Sequence, residues 1–477
     1  MAVLGGGTFI AQFANFVFVI IIARAFGPDL LGLYSLSMAI SALAIVFVSF
    51  GTIPMLVRDI GRDPAQGGQT LRALFPAQLA LSAGAWTLLV GIGTFSGWSG
   101  NEVGILAAIA AYQIFVRLGE IMLSESQGHQ KMQIVALVRA GIPLLSVTLA
   151  APLVWLRDDR LLTLSVMPIS ACIFFLIARR AAVRLGGPIG LRPQWTHIIE
   201  AVGRAKPFFL IQLLTSAYER LGVIILGVLA TREVVGEFAA GDRIIAALGV
   251  IVNVLTVSSL PALSQLAATD TTRLKQLSNR LVRLAWLIGL PVATGLFLFS
   301  EEIIVGVFGQ SYAGSVIVLK VASVLMVVRA LRSVLGPMSM ATDRQSDLAI
   351  GRAISLVVLI ISAPLLVPLF GAVGLVASMI VAESVLVSIL IWRLAVARNL
   401  PTVFRPAFRI AAACALAMVV GMLGAEMSLL ARIPASVLAG IAGLWLFQAV
   451  TKEDLRLILE LPRRKRAPRN NAGGRGR

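Results

Sequence analysis

Gln113, Arg117 and Glu120 fall at i, i+4 and i+7, and Gln212, Thr215, Ser216 and Glu219 fall at i, i+3, i+4 and i+7. At helical periodicity each set lines one face. Both sets lie inside apolar runs long enough to cross a bilayer, and other polar groups share that setting. Arg220 follows Glu219, Lys320, Arg329 and Arg332 fall in one later run, and Glu383 lies halfway along another. Asn15 sits in the first run and Arg24 just after it, whereas Arg139, Asp242 and Arg243 lie nearer the ends of theirs. A charge at the bilayer centre costs about 2.5 to 3.5 kcal/mol on insertion scales, so such groups persist where they pair or face water. Two arrangements meet that demand. One is a hydrated, on balance basic cavity in which arginines give bidentate contacts to an anionic headgroup such as a diphosphate. The other is a set of interhelical ion pairs, with Arg117 and Glu120 the nearest candidates in sequence.

Other chemistry has little to stand on. His129 and His197 lie in separate polar connections without metal-ligand spacing and are expected to be solvated. Cys172 and Cys414 sit in apolar runs far apart, so neither a disulfide framework nor a metal site is indicated. There is no Walker P-loop and no DxxD-type metal cluster. The reading is therefore transport rather than catalysis, with no cofactor.

The elements that position these residues follow from composition. The chain has 477 residues, of which 58% are hydrophobic and 13% charged, which excludes an ordinary globular protein. Backbone amides find no water in hydrocarbon, so apolar runs of about 20 residues close their own hydrogen bonds as helices. A barrel would need shorter, alternating segments. The expected fold is an all-α polytopic membrane protein with about fourteen spans, the first near Val3 to Ile22 and the last near Ile433 to Val450. The first run has no basic stretch before it, and Gly27-Pro28-Asp29 follows in place of a cleavage site, so it is expected to be retained.

The formal charge of +18 is distributed between spans and along the tail rather than over a soluble domain, which argues against a nucleic-acid partner. Lys and Arg collect in alternate connections, including Arg58, Arg62, Arg72, Lys131, Arg179, Arg180, Arg184, Arg192, Arg204, Arg398 and Arg405. The opposite connections hold only Arg24, Arg157, Arg160, Arg232 and Arg432, with several carboxylates. That bias places both termini in the cytoplasm of a bacterial inner membrane. Trp98, Trp155 and Trp392 fall at expected membrane interfaces. The tail holds Arg463-Arg464-Lys465-Arg466, expected to be disordered and near lipid headgroups.

An internal repeat organises the spans. Gly32-Leu33-Tyr34-Ser35 matches Gly236-Glu237-Phe238-Ala239 at an offset of 204 residues, which also lays Thr8, Gln12 and Asn15 over Gln212, Ser216 and Glu219. Val116-Arg117 and Arg139 match Val328-Arg329 and Arg352, with Glu120 opposite Arg332. Six spans per copy give both copies the same orientation, hence a parallel, pseudo-two-fold repeat. Expected divisions are a six-helix bundle with linker at 1–206, a second bundle at 207–395, two additional helices at 396–450 and the basic tail at 451–477. Polar stripes on matching helices favour the cavity over scattered ion pairs. Its candidates are Asn15, Arg24, Arg117, Glu120, Gln212, Arg220, Lys320, Arg329 and Arg332, with Glu219 and Glu383 as ion-coupling candidates.

Local motifs then become familiar. Ala23-Arg24-Ala25-Phe26-Gly27 through Gly32-Leu33-Tyr34-Ser35, Phe50-Gly51 with Leu56-Val57-Arg58, Tyr218-Glu219-Arg220 before Gly236-Glu237-Phe238, and Phe308-Gly309-Gln310-Ser311-Tyr312 occur in order over about 390 residues. In this the chain resembles the Wzx-like polysaccharide-biosynthesis flippases of the multidrug/oligosaccharidyl-lipid/polysaccharide superfamily. The resemblance implies two six-helix bundles that move a polyprenyl-diphosphate-linked glycan between leaflets by alternating access, drawing on a Na+ or H+ gradient or the membrane potential. Membrane lipids, a glycan polymerase and export machinery are the implied partners. Fourteen spans are also similar to the lipid II flippases, and a drug/cation antiporter would share the fold, so these stay open as alternatives. A membrane glycan polymerase fits less well, because such enzymes use a long external loop and every outer connection here is short.

Overall fold

The computed structural model describes residues 2–157, 159–188, 190, 195–396, 404–424 and 426–447, without the side chains of 2–4, 157, 195, 250–258, 404 and 405. The expected basic tail, Asp158, Arg192 and Arg398 lie outside the described residues, as do the Arg157 and Arg405 side chains. All regular structure among the described residues is helical, so the all-α membrane expectation holds.

The helices are α1 (Ala2–Ser49), α2 (Thr52–Arg62), α3 (Pro64–Phe95), α4 (Gly100–Gly128), α5 (Met132–Arg157), α6 (Arg160–Gly186) and α7 (Trp195–Leu229). They continue as α8 (Arg232–Thr269), α9 (Thr271–Leu298), α10 (Ser300–Phe308), α11 (Ser315–Ala341), α12 (Gln345–Val396), α13 (Phe404–Leu423) and α14 (Leu429–Leu446). Ten of them are long and apolar enough to cross a membrane. At about 1.5 Å per residue the 48 residues of α1 would run for about 72 Å, more than twice a hydrocarbon core of about 30 Å. The chain breaks instead at Gly27 (φ 76°), and Pro28, whose ring fixes φ, starts the second arm. The 52 residues of α12 break likewise at Gly371 (φ 55°). Each of these helices therefore counts as two passes. With α8 and α11, both long enough to cross, the structure agrees with about fourteen. The breaks fall at glycines, although Pro261, Pro291, Pro337 and Pro364 lie inside helices.

Two compact units divide the chain. The first comprises residues 1–250, 299–325 and 346–389. Its inter-residue contacts sort the turns onto two ends. At one end Asp29 lies 3.8 Å from Arg160, and Arg232 pairs with Glu102 beneath the face of Trp98. At the other, Asp59 lies 3.2 Å from Arg204, Arg72 donates to the Gly186 carbonyl, and Phe50 stacks on Phe209 at 4.1 Å. This end also seats α2, which packs on α3, α4 and α7 and whose Met55, Leu56 and Ile60 are fully buried while Arg62 faces outward. Asp63 caps α3 by accepting from the amides of Ala65 and Gln66.

The repeat is visible in space. A Cβ at Gly32 would overlap the Arg232 carbonyl and lie 3.0 Å from the Gly236 nitrogen, and a Cβ at Gly236 would overlap the Pro28 carbonyl. Adding the offset of 204 turns 28 into 232 and 32 into 236, so each contact is the other's equivalent. Reciprocity of that kind marks a local two-fold axis between the first turns of the second α1 arm and of α8.

The second unit comprises residues 251–298, 326–345 and 390–477. Here α13 and α14 pack as a hairpin through Gly443, whose added Cβ would come within 2.9 Å of Ala413 Cα. Arg432 ties α14 to the ends of its neighbours, donating to the carbonyls of Gly421 (2.9 Å) and Leu298 (3.4 Å). Trp286 and Leu290 of α9 pack on Ile410 and Cys414 of α13.

Candidate functional site

Within the first unit four cations stand apart from the rest. Arg117 on α4, Arg220 on α7, Arg243 on α8 and Lys320 on α11 are half-buried, and none makes an ion pair or hydrogen bond among the described residues. A Cβ built at Gly241 would lie 3.2 Å from Val318 Cγ1, so Arg243 and Lys320 each lie two residues from one helix contact. Tyr34 is fully buried on the second arm of α1, and its hydroxyl has no hydrogen-bond partner among the described residues. Arg243 and Arg220 are near enough to bear electrostatically on that phenol, and Tyr112 of α4 neighbours both Tyr34 and Arg243. Gln113 reaches toward the Met38 carbonyl at 3.5 Å, which places Arg117, one turn further along α4, beside the same arm of α1. Helices of both sequence copies thus contribute cations to this region. Guanidinium and ammonium groups without a partner inside a helix bundle are stable where they meet water or an anion.

Three other candidates, Glu120, Glu383 and Arg24, are engaged elsewhere. Glu120 does not take Arg117, its neighbour on α4. It gives both oxygens to Arg139 of α5, at 2.8 and 2.6 Å, a bidentate pair that leaves Arg117 open. Glu383 is 1% exposed and lies 3.3 Å from Arg352, whose guanidinium stacks 4.3 Å from the Tyr218 ring centroid. Arg24 is exposed beside the break at Gly27. Its Nε donates to the Val307 carbonyl at 2.8 Å and a terminal nitrogen donates to that of Gly306, so it caps the C-terminus of α10. On α7, Gln212 and Ser216 are half-buried and Thr215 and Glu219 exposed along one stripe; Glu219 and Asp242 make no ion pair among the described residues. Asn15 is half-buried on the first arm of α1. Arg329 and Arg332, half-buried on α11, belong to the second unit.

His129 is not simply solvated, as its position in a polar connection suggested. As the residue that closes α4 it lies 3.6 Å from the buried Glu125 carboxylate, which also neighbours Arg72. The expectation also missed Tyr34 and Tyr112. A compositional hint was present: the chain has only four tyrosines. Tyr34 and Tyr112 flank the open cations, Tyr218 lies under Arg352, and Tyr312, fully buried, donates to the Ala23 carbonyl at 3.3 Å.

Comparison with known proteins fits this geometry. The family model described as "Polysaccharide biosynthesis protein" matches residues 1–267, and that of "Lipid II flippase MurJ" matches residues 162–443. A probable low-salt glycan biosynthesis flippase, Agl15 of Haloferax volcanii, is 19% identical over 366 residues, covering 76% of this chain and 75% of its own. Among solved structures, the lipid II flippase MurJ in an inward closed conformation superposes with a TM-score of 0.77 at 14% identity, covering 96% of this chain and all of that one. An inward-facing multidrug resistance MATE family transporter gives 0.65 at 16%, covering 82% and 95%. At these identities the structural likeness speaks for the fold. Both halves of the sequence are matched, the first model covers more than half of the chain, and the chain belongs to the polysaccharide biosynthesis protein family.

Proposed function

We propose that the protein is a flippase that carries a polyprenyl-diphosphate-linked oligosaccharide from the cytoplasmic to the outer leaflet of a bacterial inner membrane, by alternating access, for surface or exopolysaccharide assembly. The observation that carries this reading is the set of unmatched cations, Arg117, Arg220, Arg243 and Lys320, on helices of both copies. A diphosphate supplies the charge and the paired oxygens that arginine's planar donors fit. The end of the first unit that holds α2, Arg62 and Arg72 is the Lys/Arg-rich end, and faces the cytoplasm on this reading. Residues 1–206 and 207–395 then act as the two copies and 396–450 as an added pair. No covalent step is required, and the protein is not an enzyme. Membrane lipids surround it, and a glycan polymerase and export machinery take up its product.

Glu219, exposed on α7 and free of ion pairs among the described residues, is the better ion-coupling candidate. Glu383 already neutralises Arg352. Arg24 serves α10, which removes it from first rank as a substrate contact. The MurJ family match over residues 162–443 favours one second reading, a lipid II-type precursor as cargo. A drug/cation antiporter fits less well, because the unmatched groups are four cations against the carboxylates of Glu219 and Asp242.

The test is glycan export in cells lacking the chromosomal copy. Arg117→Gln, Arg220→Gln and Lys320→Gln are each expected to reduce export at least about tenfold, the effect of losing one charge-assisted contact, at unchanged membrane levels. Normal export by all three would refute the assignment. Rescue of cells depleted of their peptidoglycan-precursor flippase would instead establish the lipid II reading.

A further inference from the structure

At the Arg72 end of the first unit, an open cavity of about 540 Å³ lies between the first turns of α3 and those of α7, lined by Gln66, Gln69, His197, Glu200, Gly203 and Arg204. Its volume is that of a small-ligand site, about 300 to 1,000 Å³. Its chemistry differs from the rest of that basic end. Arg204 is held by Asp59 at 3.2 Å, and the Thr70 hydroxyl, also at the wall, is spent on the Gln66 carbonyl at 3.1 Å. What remains open is two carboxamides and a carboxylate, since the side chains of Gln66, Gln69 and Glu200 make no hydrogen bond among the described residues. The His197 ring adds a further donor or acceptor, with Thr196 Oγ1 at 3.5 Å its one polar neighbour among the described residues.

Asp59 is shared between Arg58 (2.9 Å) and Arg204 (3.2 Å), so with Glu200 counted these four groups carry no net charge to draw a phosphate. Carboxamides, each with two donors and an acceptor, together with a carboxylate that accepts twice, match the alternating donors and acceptors of adjacent hydroxyls. The geometry points to a sugar-reading site. We propose that this cavity receives hydroxyls of the glycan moiety of the lipid-linked substrate, apart from the cation cluster that takes the diphosphate. The proposal rests on the flippase reading above. It makes the glycan, and not only the diphosphate, a determinant of which lipids are accepted.

Gly203 supplies a clean probe, because a Cβ built there meets nothing within 4 Å. A side chain there starts from open space at the cavity wall, and phenylalanine is a better helix former than glycine. The experiment uses the full-length protein in proteoliposomes and two fluorescent probes, a polyprenyl diphosphate bearing a neutral disaccharide and the same lipid without sugar. Wild type is expected to half-saturate at lower concentrations of the sugar-bearing probe. Gly203→Phe, and separately Gln66→Ala with Gln69→Ala, are expected to raise that concentration by about tenfold, the order given by two lost neutral hydrogen bonds, and to leave the sugar-free probe unchanged. Equal handling of both probes by wild type, or an intact sugar preference in the variants, would overturn the sugar site while the flippase reading stands. Failure of wild type to move either probe would overturn both.

Discussion

Replacing Gly236 by alanine tests the two-fold contact directly. The added methyl would overlap the Pro28 carbonyl oxygen and stand 2.7 Å from its carbon, where real Cβ atoms are not found under 3.0 Å. The obstacle is backbone on both sides, so no rotamer change relieves it. The turns around Gly32 and Gly236 must separate by about an ångström, and overpacking of this kind costs about 1 to 3 kcal/mol. Gly32→Ala meets the Arg232 carbonyl in the equivalent way and should cost a similar amount. Because the two methyls push the same pair of ribbons apart, the second is cheaper once the first is present. The double variant is expected to fall short of additivity by at least about 0.5 kcal/mol. Gly6, with nothing within 4 Å of its Cβ, is the control, and Gly6→Ala should be neutral or stabilising by about 0.5 to 1 kcal/mol. Unfolding free energies of the purified protein in bicelles would measure all four. Wild-type stability of Gly236→Ala, or strict additivity of the pair, would refute the reciprocal contact.

Three other outcomes follow from the ion pairs and caps. Arg352→Gln removes the cation 3.3 Å from the buried Glu383 carboxylate and should destabilise by about 3 to 5 kcal/mol, whereas Arg352→Met with Glu383→Met should recover most of the loss, as measured by detergent-solubilised yield and melting temperature. Arg24→Ala removes a cation from the last carbonyls of α10 and should cost about 0.3 to 1 kcal/mol with export largely kept; abolished export at full stability would return Arg24 to the substrate contacts. Arg139→Gln frees Glu120, whose nearest cation on its own helix is Arg117. Export, read at equal membrane levels, should fall although Arg139 itself contacts no substrate, and Arg139→Gln combined with Glu120→Gln should restore it.

The fold was legible because lipid leaves the backbone one economical solution, and apolar run length reports it directly. The repeat was legible for a related reason: Gly32 and Gly236 stay glycine because each turn faces the other's carbonyl. The partners of the charges were not legible. Helix periodicity says which face Glu120 occupies but not which neighbouring helix supplies the cation, so Arg117, three residues away, looked as suitable as Arg139. Arg24 looked like a cavity cation because it follows the first run, and only the approach of α10 shows its donors on carbonyls. Tyr34 is part of the repeat motif, yet its counterpart Phe238 has no hydroxyl, so comparing the copies hid the group whose oxygen is left without a partner.

Divergence between the copies explains the sign of the site. Arg139 and Arg352 occupy equivalent places, and each is neutralised by one carboxylate, but from different sources. Arg139 takes Glu120 from the preceding span; the position equivalent to Glu120 in the second copy is Arg332, so Arg352 takes Glu383 from the following one. Once both copies have consumed a carboxylate in this way, the cations Arg117, Arg220, Arg243 and Lys320 are left without an ion pair among the described residues, and the region they share is basic through subtraction. On the proposed reading an anionic cargo is favoured there because two of the acids, Glu120 and Glu383, are occupied as structural partners. Freeing Glu120 or Glu383 would change what the site accepts without altering a single residue of the cation cluster.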